Sequence, residues 1–273
     1  MHSNTCLIAT RLATTLATVL LVASPPALAA EVKVLATIAF QRVFDEALPA
    51  FNKTSGHTAS AQLATGGAVA ARVQNNEVAD LYFGPRQNID TLVAAGKLRA
   101  DSVVDVARSP AGFAIRKGTP KPDISTADGL KRTLLAARGI TFPDPSHGSP
   151  SANHLLRVAG QLGITDELKT RTRHPPVGNA AGPTMLVTGE ADLAFQQNCE
   201  LLLVPDAELL GPLPQEFQLI TIMAVAVPVT AREPEAAKAF IKHLQTPASA
   251  AVMSRWGLEP IAASGAATST KQY

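Results

Sequence analysis

Two arginines, two threonine-led turns and one hydroxyl-rich loop are the residues of this chain best suited to hold an anion. Arg42 opens the first predicted helix, where its charge opposes the helix dipole, and Arg86 follows the end of the third predicted strand. Two guanidiniums at two such turns suit bidentate recognition of a carboxylate or oxyanion. The bland alternative is a pair of solvated surface charges. The turns at Thr37 to Ala39 and at Thr65, Gly66 and Gly67 each lead from a strand into a helix. Helix N-termini at such places offer free N–H groups and a positive dipole end. Glycine lets a ligand approach the backbone closely, or simply makes the turn. The segment from Asp144 to Ser151 places Ser146, His147 and Gly148 between a strand and a helix. It reads either as a third anion-holding loop or as a turn with a helix cap at Ser151. Phe195 ends a strand, and Gln196 opens the amide run Gln196-Gln197-Asn198 at that strand's end.

Signatures of covalent or metal catalysis are absent: there is no GxSxG elbow, no HExxH and no phosphate-binding loop of the GxxxxGK type. His57, His147, His154, His174 and His243 are scattered, and only His147 and His154 stand near each other, with Gly148 and Pro150 between them. No metal and no cofactor is expected. Cys199 follows a strand end, where it faces a cleft or, as lone cysteines more often do, lies inert in the core.

These residues need strands and helices to position them, and the pattern supplies alternating ones. Val32–Ala36, Thr58–Leu63 and Ala79–Phe83 read as strands; Gln41–Ala50, Ala68–Gln74 and Asn88–Ala95 read as the helices after them. Val103–Ala107 and Gly112–Ile115 read as two strands broken by Ser109 and Pro110. The alternation then restarts: helix Thr126–Leu135, strand Gly139–Phe142, helices Asn153–Leu162 and Ala181–Thr188, strand Ala191–Phe195, one or two strands in Phe217–Val227, and helices Pro234–Leu244 and Ala248–Trp256. The fold class is α/β with largely parallel sheets in two lobes. Ligands of such sheets bind outside the carboxyl ends of the strands. The expected division is a leader over 1–29, lobe 1 over 30–108, lobe 2 over 109–227, C-terminal helices over 228–262 returning to lobe 1, and a disordered tail over 263–273.

The leader reading rests on Arg11 ahead of an apolar run, with Ala27-Leu28-Ala29 as a small-x-small cleavage site. Pro25 and Pro26 break that run too early for a good membrane span. An exported, soluble, periplasmic protein is expected, beginning near Ala30. Removing Cys6 leaves Cys199 without a disulfide partner, so stability must come from burial. The net charge of +2, with no basic stripe, argues against nucleic acid, and 4% aromatic residues argue against a sugar-stacking pocket. A monomer is expected.

The stretches VLATIAF, FDEALPAF, ATGGAVAARVQ, ADLYFG, FPDPSHG, LLRVAGQLGI, GEADLAFQQ and AKAFIKHLQTPASAAVMSRWGLEP together resemble the ModA-like periplasmic solute-binding proteins, the molybdate-binding family of ABC importers. The resemblance covers nearly all of the chain after the leader. It implies the two-lobed, type II periplasmic-binding-protein fold, a ligand closed between the lobes, and the membrane subunits of an ABC importer as partners. It also implies side-chain hydroxyls on the oxyanion at three places where this chain has Ala39, Gly66 and Phe195. With those hydroxyls gone, a larger anion such as a di- or tricarboxylate fits better than molybdate, unless Thr37, Thr65 or Ser146 substitutes. Periplasmic aconitate isomerase is similar to the same family. That resemblance implies a second reading, in which Arg42 and Arg86 clamp carboxylates and His147 moves a proton.

Overall fold

The computed structural model describes residues 29–147, 149–175 and 181–262; the expected leader ahead of residue 29 and the expected tail beyond residue 262 lie outside them. The first parallel layer consists of β1 (Glu31–Thr37), β2 (Thr58–Ala64) and β3 (Leu81–Pro85), each followed by a helix: α1 (Gln41–Thr54), α2 (Gly66–Gln74) and α3 (Arg86–Ala94). β1 lies between β2 and β3, and its last four residues are buried in succession, as a strand covered on both faces requires. α1 buries Val43, Phe44, Ala47 and Phe51 on one stripe. The Phe44 ring meets Phe83 edge-on at 5.2 Å, and Phe51 meets Phe240 at 5.0 Å. The sequence pattern ends this helix at Ala50, but it continues through Pro49 to Thr54. Pro49 sits on the exposed face, where the Asp45 carbonyl it leaves unpaired meets water, and Phe51 anchors the following turn in the core.

β4 (Val104–Arg116) is one strand of thirteen residues rather than the two expected from Ser109 and Pro110. The backbone explains why proline is tolerated there. The Ala111 N–H donates to the Leu219 carbonyl, so alternation turns the nitrogen of residue 110 to the opposite side of the strand. On that side one neighbouring strand stops opposite Ala107 and Arg108, and the next begins opposite Ala111. The missing donor of Pro110 therefore leaves no ladder bond unmade.

Beyond β4 come α4 (Ala127–Ala136), β5 (Ile140–Thr141), α5 (Pro150–Leu162), α6 (Thr165–Arg171), β6 (Thr172–Arg173), α7 (Ala181–Thr188), β7 (Leu193–Gln197), α8 (Asn198–Leu201), β8 (Ala207–Leu209), β9 (Ile220–Ala226), α9 (Pro234–Leu244), α10 (Pro247–Arg255) and β10 (Glu259–Pro260). The strand order is β2-β1-β3-β9-β4-β7-β5-β6, with β8 and β10 also on β4. β5, β6 and β7 are parallel to one another, but β4, β8, β9 and β10 pair antiparallel, so the sheet is more mixed than the alternating pattern suggests. One core cluster holds Phe40, Phe44, Phe83 and Phe240, and another holds Phe113, Phe142, Phe195 and Leu155. α5 starts at Pro150, earlier than expected, because its cap is Ser149 and not Ser151: the Ser149 hydroxyl accepts from the Ala152 N–H.

The register of β4 sets the two lobes head to head. β3 ends with Pro85 opposite Met223 of β9, and Met223 lies opposite Ala107 of β4. β7 runs the other way and ends with Gln197 opposite Ala111. The carboxyl ends of both parallel layers therefore face each other across the four-residue step from Ala107 to Ala111, about 13 Å of strand. The C-terminal return is fixed at the far end of lobe 1 by Asp80, which is 3% exposed. Its carboxylate accepts from the N–H groups of Lys33, Arg232 and Glu233, each at 2.8 Å.

Asp80→Ala leaves three backbone donors short of their acceptor, and hydrogen bonds to a charged group are the strong ones. Urea unfolding is expected to show a loss of about 2–4 kcal/mol with an unchanged denaturant slope. A loss below about 0.5 kcal/mol would contradict this role for Asp80.

Candidate functional site

On the lobe 1 edge, Thr37 and Thr65 are helix caps. The Thr37 hydroxyl accepts from the Ala39 N–H at 3.3 Å, and the Thr65 hydroxyl accepts from the Ala68 N–H at 3.4 Å. Each keeps its own proton to donate. β1 and β2 end side by side, Thr37 opposite Ala64, so the Thr37–Ala39 and Thr65–Gly67 turns share one edge. Ala39 is buried in the short 3-10 turn Ile38–Phe40. A Cβ on Gly66 would meet Asn88 and Pro85 only at ordinary contact distance, and one on Gly67 would meet nothing. Steric need does not explain these glycines, which leave the first N–H groups of α2 uncovered.

The two arginines are both engaged within the chain. Arg86 donates from Nε to Asp90 at 2.7 Å and from Nη1 to Asp105 at 2.8 Å, which ties the start of α3 to β4. Asp90 and then Asp105 raise its pKa further, so its charge is already compensated on both sides. Arg42 reaches the segment after α8: Nη2 donates to the Leu203 carbonyl at 2.9 Å, and the guanidinium lies 5.3 Å from the Trp256 ring centre. Its Nε is buried and has no partner.

On the lobe 2 edge, Ser146 is exposed in the 3-10 turn Pro145–His147, and its N–H donates to Asp144 at 2.8 Å. Gly148 and the imidazole of His147 lie outside what is described. Phe195 turns its ring inward: it is 1% exposed and packs on Phe113 at 4.7 Å, so it adds no side chain to the cleft. β7 continues to Gln197, which faces the same way as Phe195 but beyond the core, and Nε2 of Gln197 donates to Thr221 of β9 at 2.8 Å. On the opposite face Nε2 of Gln196 donates to Glu200 of α8 at 3.1 Å. A Cβ on Gly182, in the first turn of α7, would stand 2.8 Å from Oε1 of Gln196, so glycine there lets the carboxamide lie close to the helix start.

Among the described residues the buried side-chain atoms without a hydrogen-bond partner are Nε of Arg42, Oη of Tyr82, Oε1 of Gln196 and Oε1 of Gln197. Buried polar groups are normally paired, so each exception calls for an explanation. Gln196 and Gln197 end β7, Arg42 joins the start of α1 to the segment after α8, and Tyr82 lies beneath Gly84 at the end of β3. The unmet polar groups thus gather where the two strand edges meet. Burial pushes the Tyr82 phenol up to about 12, against the opposing influence of the Asn88 amide. Burial pushes the Glu200 carboxyl up to about 7, with the Gln196 bond pulling the other way. Glu200 and Gln197 were not singled out from sequence; the amide run before them was the only signal.

Other candidates fall away. Burial first, and then the nearby Glu200, push the Cys199 thiol up to about 12, and it lies 3.5 Å from the Ser109 hydroxyl inside a core cluster. It is an inert thiol. Both ring nitrogens of His154 are occupied, Nε2 by the Phe217 carbonyl at 2.7 Å and Nδ1 by Arg157 at 2.6 Å, which leaves none for a metal. A cavity of about 460 Å³ between Arg99, Val104, Val227 and Lys242 opens at the start of β4, away from both strand edges. It carries none of the groups described above. No helix among the described residues is long and apolar enough to cross a membrane.

With this geometry in place, comparison with known proteins is informative. The family described as bacterial extracellular solute-binding protein matches residues 32–259. Aconitate isomerase from a Pseudomonas species is 33% identical over 254 residues, which covers 89% of this chain and 95% of that protein. The periplasmic molybdate-binding protein of Azotobacter vinelandii superposes with a TM-score of 0.67 at 18% identity, over 83% of this chain and 98% of that one. The sulfate-binding protein SubI of Mycobacterium tuberculosis H37Rv gives 0.66 at 17%, over 85% and 87%. These superpositions establish the two-lobed, type II periplasmic-binding-protein fold.

The Glu200 carboxyl gives a pH signature with a definite sign. Its folded pKa of about 7 lies above its ordinary value of 4.5, so the folded state holds the proton more tightly than the unfolded chain. Its burden on stability is largest above pH 7 and is relieved as pH falls from about 8 toward 5. His154, whose pKa burial lowers, acts in the opposite direction, so the comparison must be made between variants. Relative to Glu200→Gln, the wild-type urea midpoint is expected to rise over that interval; parallel pH profiles would contradict the raised pKa of this carboxyl.

Proposed function

This chain belongs to the bacterial extracellular solute-binding proteins, and from that premise we propose that its cleft closes on a small polycarboxylate and interconverts cis- and trans-aconitate. The observation that carries the proposal is the 33% identity to an aconitate isomerase over 95% of that protein's length. A reading as a carrier alone, delivering the same ligand to the membrane subunits of an ABC importer, rests on family membership. In either case the chain works in the periplasm after its leader is removed near Ala29.

The chemistry of the site supports a carboxylate ligand. Ala39, Gly66 and Phe195 stand where the molybdate-binding relatives implied by the sequence carry hydroxyls, and none of the three can donate from its side chain. What remains is suited to flat carboxylates: the Thr37 and Thr65 hydroxyl protons, the N–H groups at the starts of α2 and α5, and the exposed turn at Ser146. Gln197 can turn its N–H₂ end to an anion by rotation about the last bond, exchanging its bond to Thr221. Arg42 holds an unmet donor at Nε. Arg86, already bonded to Asp90 and Asp105, contributes by holding the edge and supplies a clamp only if one of those bonds is exchanged.

The reaction requires no oxidant. A proton leaves the methylene carbon of aconitate, the double bond shifts, and a proton returns at the former vinyl carbon. The protein must therefore hold the carboxylates and provide one acid/base.

The test is proton NMR of the mature protein with trans-aconitate, together with isothermal titration of aconitate, citrate and molybdate. The expected result is catalysed approach to the cis/trans equilibrium, binding of both carboxylates, and weak or no binding of molybdate. Tight aconitate binding without interconversion would leave a carrier. Submicromolar molybdate affinity would overturn the carboxylate reading.

A further inference from the structure

We infer that Glu200 is the group that carries the proton between the two allylic carbons of the ligand, and that Gln196 is its positioning residue. The inference rests on the aconitate reading and goes beyond it by naming the acid/base, a role for which the sequence points only to His147.

Placement comes first. Glu200 lies three residues past the end of β7, whose carboxyl edge faces lobe 1 across the step from Ala107 to Ala111. α8 packs against β4, β7 and the 3-10 turn Ile38–Phe40, so it sits at the junction of the two edges. The Glu200 carboxyl accepts from Nε2 of Gln196 at 3.1 Å. The other end of that carboxamide is buried, unpartnered and set against Gly182 in the first turn of α7. Gln196 is thereby held between a helix start and the carboxyl it orients.

Elimination comes second. The carboxylates of Asp90 and Asp105 are bonded to Arg86, and Asp45 lies 3.7 Å from Arg42. Cys199 and His154 have no free reactive atom. Among the described residues Glu200 has no ion-pair partner, so its proton is free to leave and return. A partly buried carboxyl without a cation has little structural reward for ionising, and such groups concentrate at functional sites.

Electrostatics agree. A general base works best when its pKa lies near the operating pH, and burial brings this carboxyl to about 7. Charge near it is sparse. Its side-chain partner from β7 is the neutral Gln196, which in turn stands against Gly182 of α7; on its own helix the Cys199 thiol is neutral and bonded to Ser109 of β4; from α1, Arg42 is directed to the Leu203 carbonyl.

The step balances. The Glu200 carboxylate takes a proton from the methylene carbon. The C–H electron pair enters the adjacent double bond, giving an allylic carbanion spread into the flanking carboxylates. The Glu200 carboxylic acid then delivers the proton to the far allylic carbon, so the double bond has moved by one position and the carboxylate is regenerated.

The experiment compares wild type with Glu200→Gln, Glu200→Asp, Gln196→Leu and His147→Ala, using the mature chain and trans-aconitate in D₂O. Turnover and deuterium incorporation are followed by NMR, and affinity by titration. Glu200→Gln preserves an acceptor for Gln196; it is expected to bind within about threefold of wild type and to lose turnover by about 10²–10⁴-fold. Glu200→Asp, the check against a merely misfolded variant, is expected to keep measurable turnover with a shifted acid limb. Gln196→Leu removes the bond that favours the carboxylate, so the acid limb of kcat/KM is expected to move to higher pH. Wild-type turnover in Glu200→Gln overturns the inference and leaves the aconitate reading intact, as does loss of turnover confined to His147→Ala. A wild-type protein that does not interconvert aconitate overturns the reading itself, and the inference with it.

Discussion

The pairing of β4 with β9 is the constraint on which the rest depends. Those two strands run through both lobes, and the register between them decides how far apart the two strand edges stand. A proline at the crossing does no harm because its nitrogen faces a gap between neighbouring strands, whereas proline one residue earlier or later would remove a donor from the β4–β9 ladder. The crossing also carries small and hydroxyl side chains. Ser109 is fully buried against Cys199, and Thr221 receives Gln197. α8 can therefore settle onto the floor of the cleft and bring Glu200 with it.

Around that crossing the chain leaves polar groups unpaired, which it avoids elsewhere. At the far end of lobe 1 the buried carboxylate of Asp80 collects three N–H donors. Glu200, by contrast, has one neutral donor, and the carboxamide that supplies it has an unmatched oxygen. Buried groups left in this state destabilise the unliganded protein by about 1–3 kcal/mol each. A carboxylate that accepts from Nε of Arg42 recovers part of that energy on closure. The same burial that makes the arrangement costly brings the carboxyl toward neutrality, so one physical cause accounts for the strain and for the chemistry.

Much of the fold was legible because helices and strands announce themselves by period and by punctuation. α7 at Ala181–Thr188 and α9 at Pro234–Leu244 fall where the apolar spacing and the flanking Gly or Pro place them. Thr37 and Thr65 are legible as strand-end turns for the same reason. The misses share a physical origin in tertiary context. Ser109 and Pro110 look like a break because local sequence does not reveal which side of the strand lacks a partner. β7 runs two residues further than its apolar stretch, to Gln197. Period-two alternation then sends Phe195 into the core and leaves Gln197 at the edge. Arg42 and Arg86 were recognisable as charges near strand ends, but their engagement with Leu203, Asp90 and Asp105 is set by residues up to 161 positions away. Glu200 stands in a four-residue helix with no periodicity to mark it, and that helix is enclosed by β4, β7 and the Ile38–Phe40 turn, all distant or unmarked in the local sequence.

The most direct measurement is a crystal structure of the mature protein with trans-aconitate, taken with Glu200→Gln so that the ligand persists. The account predicts the ligand between the Thr37–Ala39 and Thr65–Gly67 turns on one side and Gln196 and Gln197 on the other, with its methylene or vinyl carbon about 3–3.5 Å from the residue 200 side chain, the distance of a near-attack arrangement. A ligand seated in the cavity beside Arg99 and Lys242, or in the cleft with its allylic carbons far from residue 200, would contradict it.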